Sequence, residues 1–184
     1  MKKLLIIIAL STIAISAKAQ VYVSNSSKVS FFSKTSVEDI SAVNTTASIL
    51  LNATTDSLYV RIKNTSFTFE RALMQEHFNE NYMESSKYPI SSFRGKLNEK
   101  IDFSKDGTYT VNVTGKLNLH GVEQLRTFNG TMEVKNGKIT LSSSFKIKPQ
   151  DHNIEIPKLV FTKIAELIDV NVSGALSPYQ KKGS

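Results

Sequence analysis

The sequence predicts an all-β fold: eight antiparallel strands closing into a barrel, with one amphipathic α-helix at about residues 70–84 covering an end or a gap. Three observations carry this expectation. Apolar and polar residues alternate with a period of two from about residue 28 to near the C-terminus. Two-residue turn signals separate consecutive alternating runs. One stretch, "MQEHFNENYMESSKYP" at 74–89, breaks the alternation with apolar residues four apart.

The first 19 residues are set apart from that pattern. "MKKLLIIIALSTIAISAKAQ" carries two lysines, an apolar run from Leu4 to Ile15, and Ala17-Lys18-Ala19 as a small-x-small cleavage site. This is the grammar of a secretory signal peptide, with an apolar run short for a membrane span. Cleavage after Ala19 leaves residues 20–184 as a single domain, expected to be periplasmic or secreted, with no membrane span. The whole chain has 23 basic and 16 acidic residues, and losing Lys2, Lys3 and Lys18 leaves 20 against 16, or +4. That excess is spread along the chain rather than gathered into a nucleic-acid-binding stripe. With no cysteine, the fold has neither disulfides nor thiolate chemistry, and stability must come from the core.

The expected strands are 27–34, 42–52, 57–67, 90–103, 108–119, 122–135, 138–148 and 164–176. In "SLYVRIKN", Leu58, Val60 and Ile62 share one face. In "TYTVNVTGKLNLHG", Tyr109, Val111, Val113, Leu117 and Leu119 do the same. Ile139, Leu141, Phe145 and Ile147 follow in "KITLSSSFKIK", and Ile168, Val170 and Val172 in the last strand. One wet and one buried face is the signature of antiparallel pairing. Asn136-Gly137 and Asp106-Gly107 are hairpin signals, because both central residues of a type I′ turn need positive φ. His120-Gly121 marks a third reversal. Residues 149–163, with Pro149 and Pro157, read as a loop with a short helical turn.

Eight such strands leave two exposed edges unless the sheet closes. A closed barrel of that size is either filled by side chains or holds one slender ligand. Gly115, Gly130 and Ser143 are small inward positions that fit a cavity, and a glycine equally marks a bend or close approach. In the helix, Met74, Phe78 and Tyr82 share one side and Glu76, Glu80 and Glu84 another. The apolar side either plugs the barrel as core or touches a ligand, and methionines make such a surface adaptable.

"MQEHFNENYMESSKYPISSFRGKL" followed by "DGTYTVNVTGKLNLHGVEQ" resembles the YceI-like family of exported proteins. The matching residues are Glu76-His77, Lys87-Tyr88-Pro89, Phe93, and Gly115-x-Leu117-x-x-His120-Gly121-Val122. The resemblance implies an extended, lipocalin-like eight-stranded barrel, some relatives of which bind a polyisoprenoid or similar amphiphile in the interior. "SFFSKTSVEDISAVNTT" departs from the family pattern, lacking its early His and Gly, and implies a shortened or reshaped wall.

Catalytic constellations are missing. His77, His120 and His152 have no metal-ligand spacing, so neither a metal nor a cofactor is expected. No serine sits in a nucleophile elbow, and the paired carboxylates lie beside turn residues. "NGT", "NTT" and "NAT" match glycosylation acceptors but suit Asn/Thr-rich wet strand faces as well. The expected function is non-enzymatic binding of an apolar or amphiphilic small molecule such as an isoprenoid-like lipid. Candidate contacts are Met74, Phe78, Tyr82, Phe93, Leu117, Phe128, Met132 and Phe145, with Lys87, Arg94 and His120 at a polar head group. The alternative is a filled barrel acting through its surface on a partner or in envelope stress, with no internal ligand.

Overall fold

The computed structural model describes residues 20–157 and 162–180. The segment read as a leader lies outside them. Ten strands follow in order: β1 Val21–Lys34, β2 Asp39–Asn44, β3 Ser48–Asn52, β4 Ser57–Lys63, β5 Thr68–Phe69, β6 Ile90–Leu97, β7 Gly107–Leu119, β8 Val122–Lys135, β9 Lys138–Ile147 and β10 Ile168–Pro178. They close into an eight-position antiparallel barrel in the order β1-β3-β4-β6-β7-β8-β9-β10, and β10 returns to pair with β1 from Tyr22↔Pro178 to Phe32↔Asp169.

The two extra strands arise because the expected strand 42–52 is broken in the middle, while the expected strand 57–67 stops at Lys63 and a short strand follows beyond its expected end. Residues 39–52 form β2 and β3, both pairing with β1, at Lys34↔Asp39 to Val29↔Asn44 and at Val23↔Leu50 to Val21↔Asn52. Between those ladders, side chains take over: Ser24 Oγ accepts from Ile49 N (3.0 Å), and Ser27 Oγ donates to the Ala47 carbonyl. Residues 57–69 break likewise into β4 and β5 around a 3₁₀ turn, Asn64–Ser66. Buried Asn44 spans both breaks, donating Nδ2 to the Lys63 carbonyl (3.0 Å) and accepting from Thr46 N (2.8 Å). The early segment that departs from the family pattern builds the β1–β2 hairpin in regular register.

Two of the three expected hairpin turns form. Asn136-Gly137 (φ 51° and 69°) closes β8–β9 at the lower end, and His120-Gly121 (φ 53° and 75°) closes β7–β8 at the upper end. Asp106-Gly107 does not make a hairpin. β6 ends at Leu97, not at residue 103, and residues 98–106 loop under the barrel. Their apolar members outcompete strand extension: Phe103 is buried and packs 6.1 Å from the Tyr22 ring, while Asp106 Oδ1 accepts from Asn136 N (3.0 Å).

Tyr22, Leu51, Leu97, Phe103, Val134, Ile139 and Leu176 make the lower half a solid core. Gly115 and Gly95 face each other across β6–β7. A Cβ on Gly115 would lie 2.2 Å from the Arg94 carbonyl oxygen, so this glycine serves close backbone approach and not cavity space.

The helix is shorter than its periodicity predicts. An α-helix, α1, spans Ala72–His77 and continues as a π-helical turn over Phe78–Tyr82, closed by Met83 N→Phe78 O at 2.8 Å. The i→i+5 bond underwinds the chain, which keeps Phe78 and Tyr82, four residues apart, on one side. Glu84, at φ 42°, ends the run. The element joins β5 to β6 at the upper end.

Candidate functional site

Above the lower core, the barrel is hollow. A cavity of about 510 Å³ runs from a floor of Leu58, Val111, Met132 and Leu141 to the end carrying the helix. Two aromatic groups dominate its walls. On one side, Phe93 of β6 meets Phe128 of β8 at 5.2 Å, and Phe128 meets Phe145 of β9 at 4.1 Å. On the other, Phe31 lies 5.4–5.7 Å from Phe67, Phe69 and Phe78, and Phe78 completes the group at 5.1 Å from Phe69. This second group fastens the helix over the upper end, since Phe78 reaches down from it onto β1 and β5. Val172 of β10 packs against both the lower core and the upper aromatic group.

Polar groups in the wall are satisfied locally. Asn64 donates Nδ2 to the Tyr88 carbonyl (2.6 Å) and accepts from Ser91 Oγ (2.7 Å). Burial pushes the Tyr82 hydroxyl pKa up, so this wall residue stays neutral. What the interior offers is an apolar surface. Among the described residues, the charged side chains that border the cavity, Glu38, Arg71 and Lys163, lie at the rim, with His77 beside them. Glu38, in the β1–β2 turn, forms an ion pair with Arg71, the residue capping α1.

The β8–β9 ladder stops at Gly130↔Ser143, above which the two strands part. The 3₁₀ turn Pro149–His152 is tied to β8 beside that gap: Arg126 pairs with Asp151 (2.6 Å), and Gln124 Nε2 donates to the Asp151 carbonyl (3.0 Å). His152 is fully buried and its Nδ1 lies 3.3 Å from the Val122 carbonyl. Burial holds its pKa below the usual imidazole range, which keeps the ring neutral.

All eight residues singled out as apolar contacts (Met74, Phe78, Tyr82, Phe93, Leu117, Phe128, Met132 and Phe145) border this one cavity. The three assigned to a head group do not. Arg94 projects from the outer wall and stacks on Tyr59 at 5.1 Å. Lys87 is exposed, 4.8 Å over the Tyr88 ring. His120 is a buried fastening: Nε2 donates to Glu84 Oε2 (2.7 Å), Nδ1 lies 3.2 Å from the His152 carbonyl, and Tyr88 packs edge-on at 4.5 Å. The Lys-Tyr-Pro and His-Gly-Val motifs therefore meet in a structural joint among the helix exit, the β7–β8 turn and the 3₁₀ turn. Unforeseen wall residues include Phe31 and Ile40, whose alternation in the early segment carried the signal, and Phe67 and Phe69 beside the second strand break. Among the described residues, no group of three or more His, Asp or Glu is placed to hold a metal ion, and no helix is long and apolar enough to cross a membrane.

Closed barrel, packed lower half and hollow apolar upper half define a lipocalin-like barrel with an internal cavity. A YceI-like domain model matches residues 19–176. The chain belongs to the YceI-like family. Its fold is shared with a polyisoprenoid binding domain from Saccharophagus degradans, at 15% identity and a TM-score of 0.74, over 86% of this chain and 98% of that one. Burkholderia cenocepacia BcnA is similar at 19% identity and TM-score 0.67 (82% and 96% covered). A YceI protein of Campylobacter jejuni follows at 23% identity and TM-score 0.57 (74% and 81% covered). No curated protein matches the sequence.

Proposed function

We propose that the protein is an exported, non-enzymatic carrier that holds the apolar tail of a lipid, isoprenoid-like or acyl, inside the barrel. The observation that carries this reading is the apolar cavity of about 510 Å³ above the solid lower core, a size within the usual range for small-molecule sites. Ten buried methylenes contribute about 8 kcal/mol, enough to weigh against an association cost of about 4–15 kcal/mol. The amphiphile's head lies at the rim, near Arg71, His77 and Lys163, rather than at Lys87, Arg94 or His120. The leader-like N-terminus supports export, and the polyisoprenoid-binding relative supports the ligand class. A barrel acting only through its surface needs no such cavity. The test is uptake of a fluorescent fatty-acid analogue: saturable enhancement, displaced by unlabelled lipid at one site per chain, is expected. Absence of uptake by folded protein would rule the carrier reading out.

A further inference from the structure

Among the described residues, six large apolar side chains stand exposed, and three of them gather at the end of the barrel that carries the cavity mouth. Val37 (59% exposed) lies in the β1–β2 turn, Leu73 (60%) in α1, and Leu167 (48%) just before β10. Single exposed apolar residues are ordinary on a protein surface. These three come from separate elements that meet around one opening. The Glu38–Arg71 ion pair ties the β1–β2 turn to the start of α1, which brings Val37 and Leu73 to one stretch of the rim. Ala165 N donates to Ser33 Oγ (2.8 Å), and the register Phe32↔Asp169, continued upward, sets Leu167 level with Lys34 at the end of β1. Leu73 also borders the cavity, as do Ile40, Met74 and Ile164. The apolar surface therefore runs from the interior over the lip to the outside.

The charges on this face are matched against one another. Arg71 pairs with Glu38 and Lys148 with Glu166 (2.6 Å), while Lys34 stands opposite Asp39 across the β1–β2 ladder. Lys163, set against the exposed Glu70 and Glu76, leaves no positive excess. Attachment to a lipid surface draws on buried apolar area and on attraction of basic residues to anionic lipid. Only the first is on offer here, which suits a zwitterionic surface. Delivery of a tail gives that contact a purpose. Each methylene carried through water disfavours the passage about fourfold, so ten of them slow it roughly a millionfold. A mouth set against the bilayer spares the tail that crossing.

Resting on the carrier reading, we infer that the upper rim is a membrane-docking face. Val37, Leu73 and Leu167 enter a zwitterionic lipid surface, and the tail passes directly between bilayer and barrel.

The test uses residues 20–184, which hold every described strand, and phosphatidylcholine vesicles carrying a quencher. Transfer of the bound fluorescent fatty-acid analogue to these vesicles is expected to quicken in proportion to vesicle concentration and to change little with salt. Half the burial of a Val or Leu side chain corresponds to about fivefold in affinity. Val37→Ser and Leu167→Ser, neither bordering the cavity, should each slow transfer by about that factor, with uptake of free probe unchanged. Tyr179→Ser, as exposed but at the opposite end, should leave transfer as it is. Flotation with probe-free vesicles reads docking separately, and the double variant of Val37 and Leu167 should bind them at least tenfold more weakly. A transfer rate independent of vesicle concentration, or a folded double variant that floats as wild type does, would overturn the docking face and leave the carrier intact. Failure to take up the probe, with flotation that still needs Val37 and Leu167, would remove the carrier reading and its tail transfer and leave the docking face standing.

Discussion

Val172→Trp is expected to leave the barrel folded and to abolish uptake of a fatty-acid analogue, with affinity falling at least tenfold. Val172 sits on β10 where the lower core and the upper aromatic group meet, and its side chain borders the cavity. An indole there projects into space a tail would fill. Inserting bulk into a well-packed core costs about 1–3 kcal/mol, and a partly vacant site brings the cost towards the lower end. Circular dichroism and thermal melting read folding while fluorescence titration reads uptake. Loss of binding with the melt preserved is the expected combination. A folded variant that still takes up the probe at wild-type affinity would place the ligand elsewhere.

The walls of this site are legible in the sequence because period-two alternation fixes which residues face inward before pairing is known. Phe93, Leu117, Phe128, Met132 and Phe145 all face inward on long, unbroken strands. The rim is not legible in that way. Glu38 comes from a turn, Arg71 from the start of α1 and Lys163 from a loop, over a hundred residues of chain joined only by closure of the barrel. His120 shows the opposite failure. As a polar residue in a conspicuous motif it invites a ligand role, yet Glu84 and the His152 carbonyl occupy both ring nitrogens. A buried group with satisfied partners spends its chemistry on the fold.

Gly115→Ala is expected to destabilise the protein by about 3 kcal/mol or more, a magnitude kept for backbone clashes and broken cores. The added Cβ would stand 2.2 Å from the Arg94 carbonyl oxygen and 2.3 Å from Gly95 Cα. Both are main-chain atoms of a paired strand and cannot swing aside. Gly137→Ala provides the contrast. No atom lies within 4 Å of its would-be Cβ, so only its positive φ of 69° resists, and the cost should be about 1–2 kcal/mol. Urea denaturation of both variants reads the difference. Equal midpoints for the two would mean β6 and β7 are not so closely apposed.

Both glycines are visible in the sequence, but only one has a role the sequence could assign. Asn136-Gly137 announces a type I′ turn through backbone conformation alone. Gly115 depends on facing Gly95, a pairing set by the register between distant strands. The same gap explains the strand ends. Alternation continues past Leu97 into Ile101 and Phe103, yet those side chains serve better as a plug beneath the barrel than as a strand. The broken β2–β3 and β4–β5 strands arise likewise, because buried Asn44 and Asn64 bind backbone carbonyls that regular ladders would otherwise engage.

The most direct measurement is a crystal structure with a 16-carbon fatty acid brominated at its terminal carbon, phased on the bromine. The predicted result is one bromine per chain inside the barrel, in contact with Met132 and Leu141, with the carboxylate among Arg71, His77 and Lys163. Bromine found only on the outer surface, or a barrel whose aromatic side chains have collapsed to fill the upper half, would contradict it.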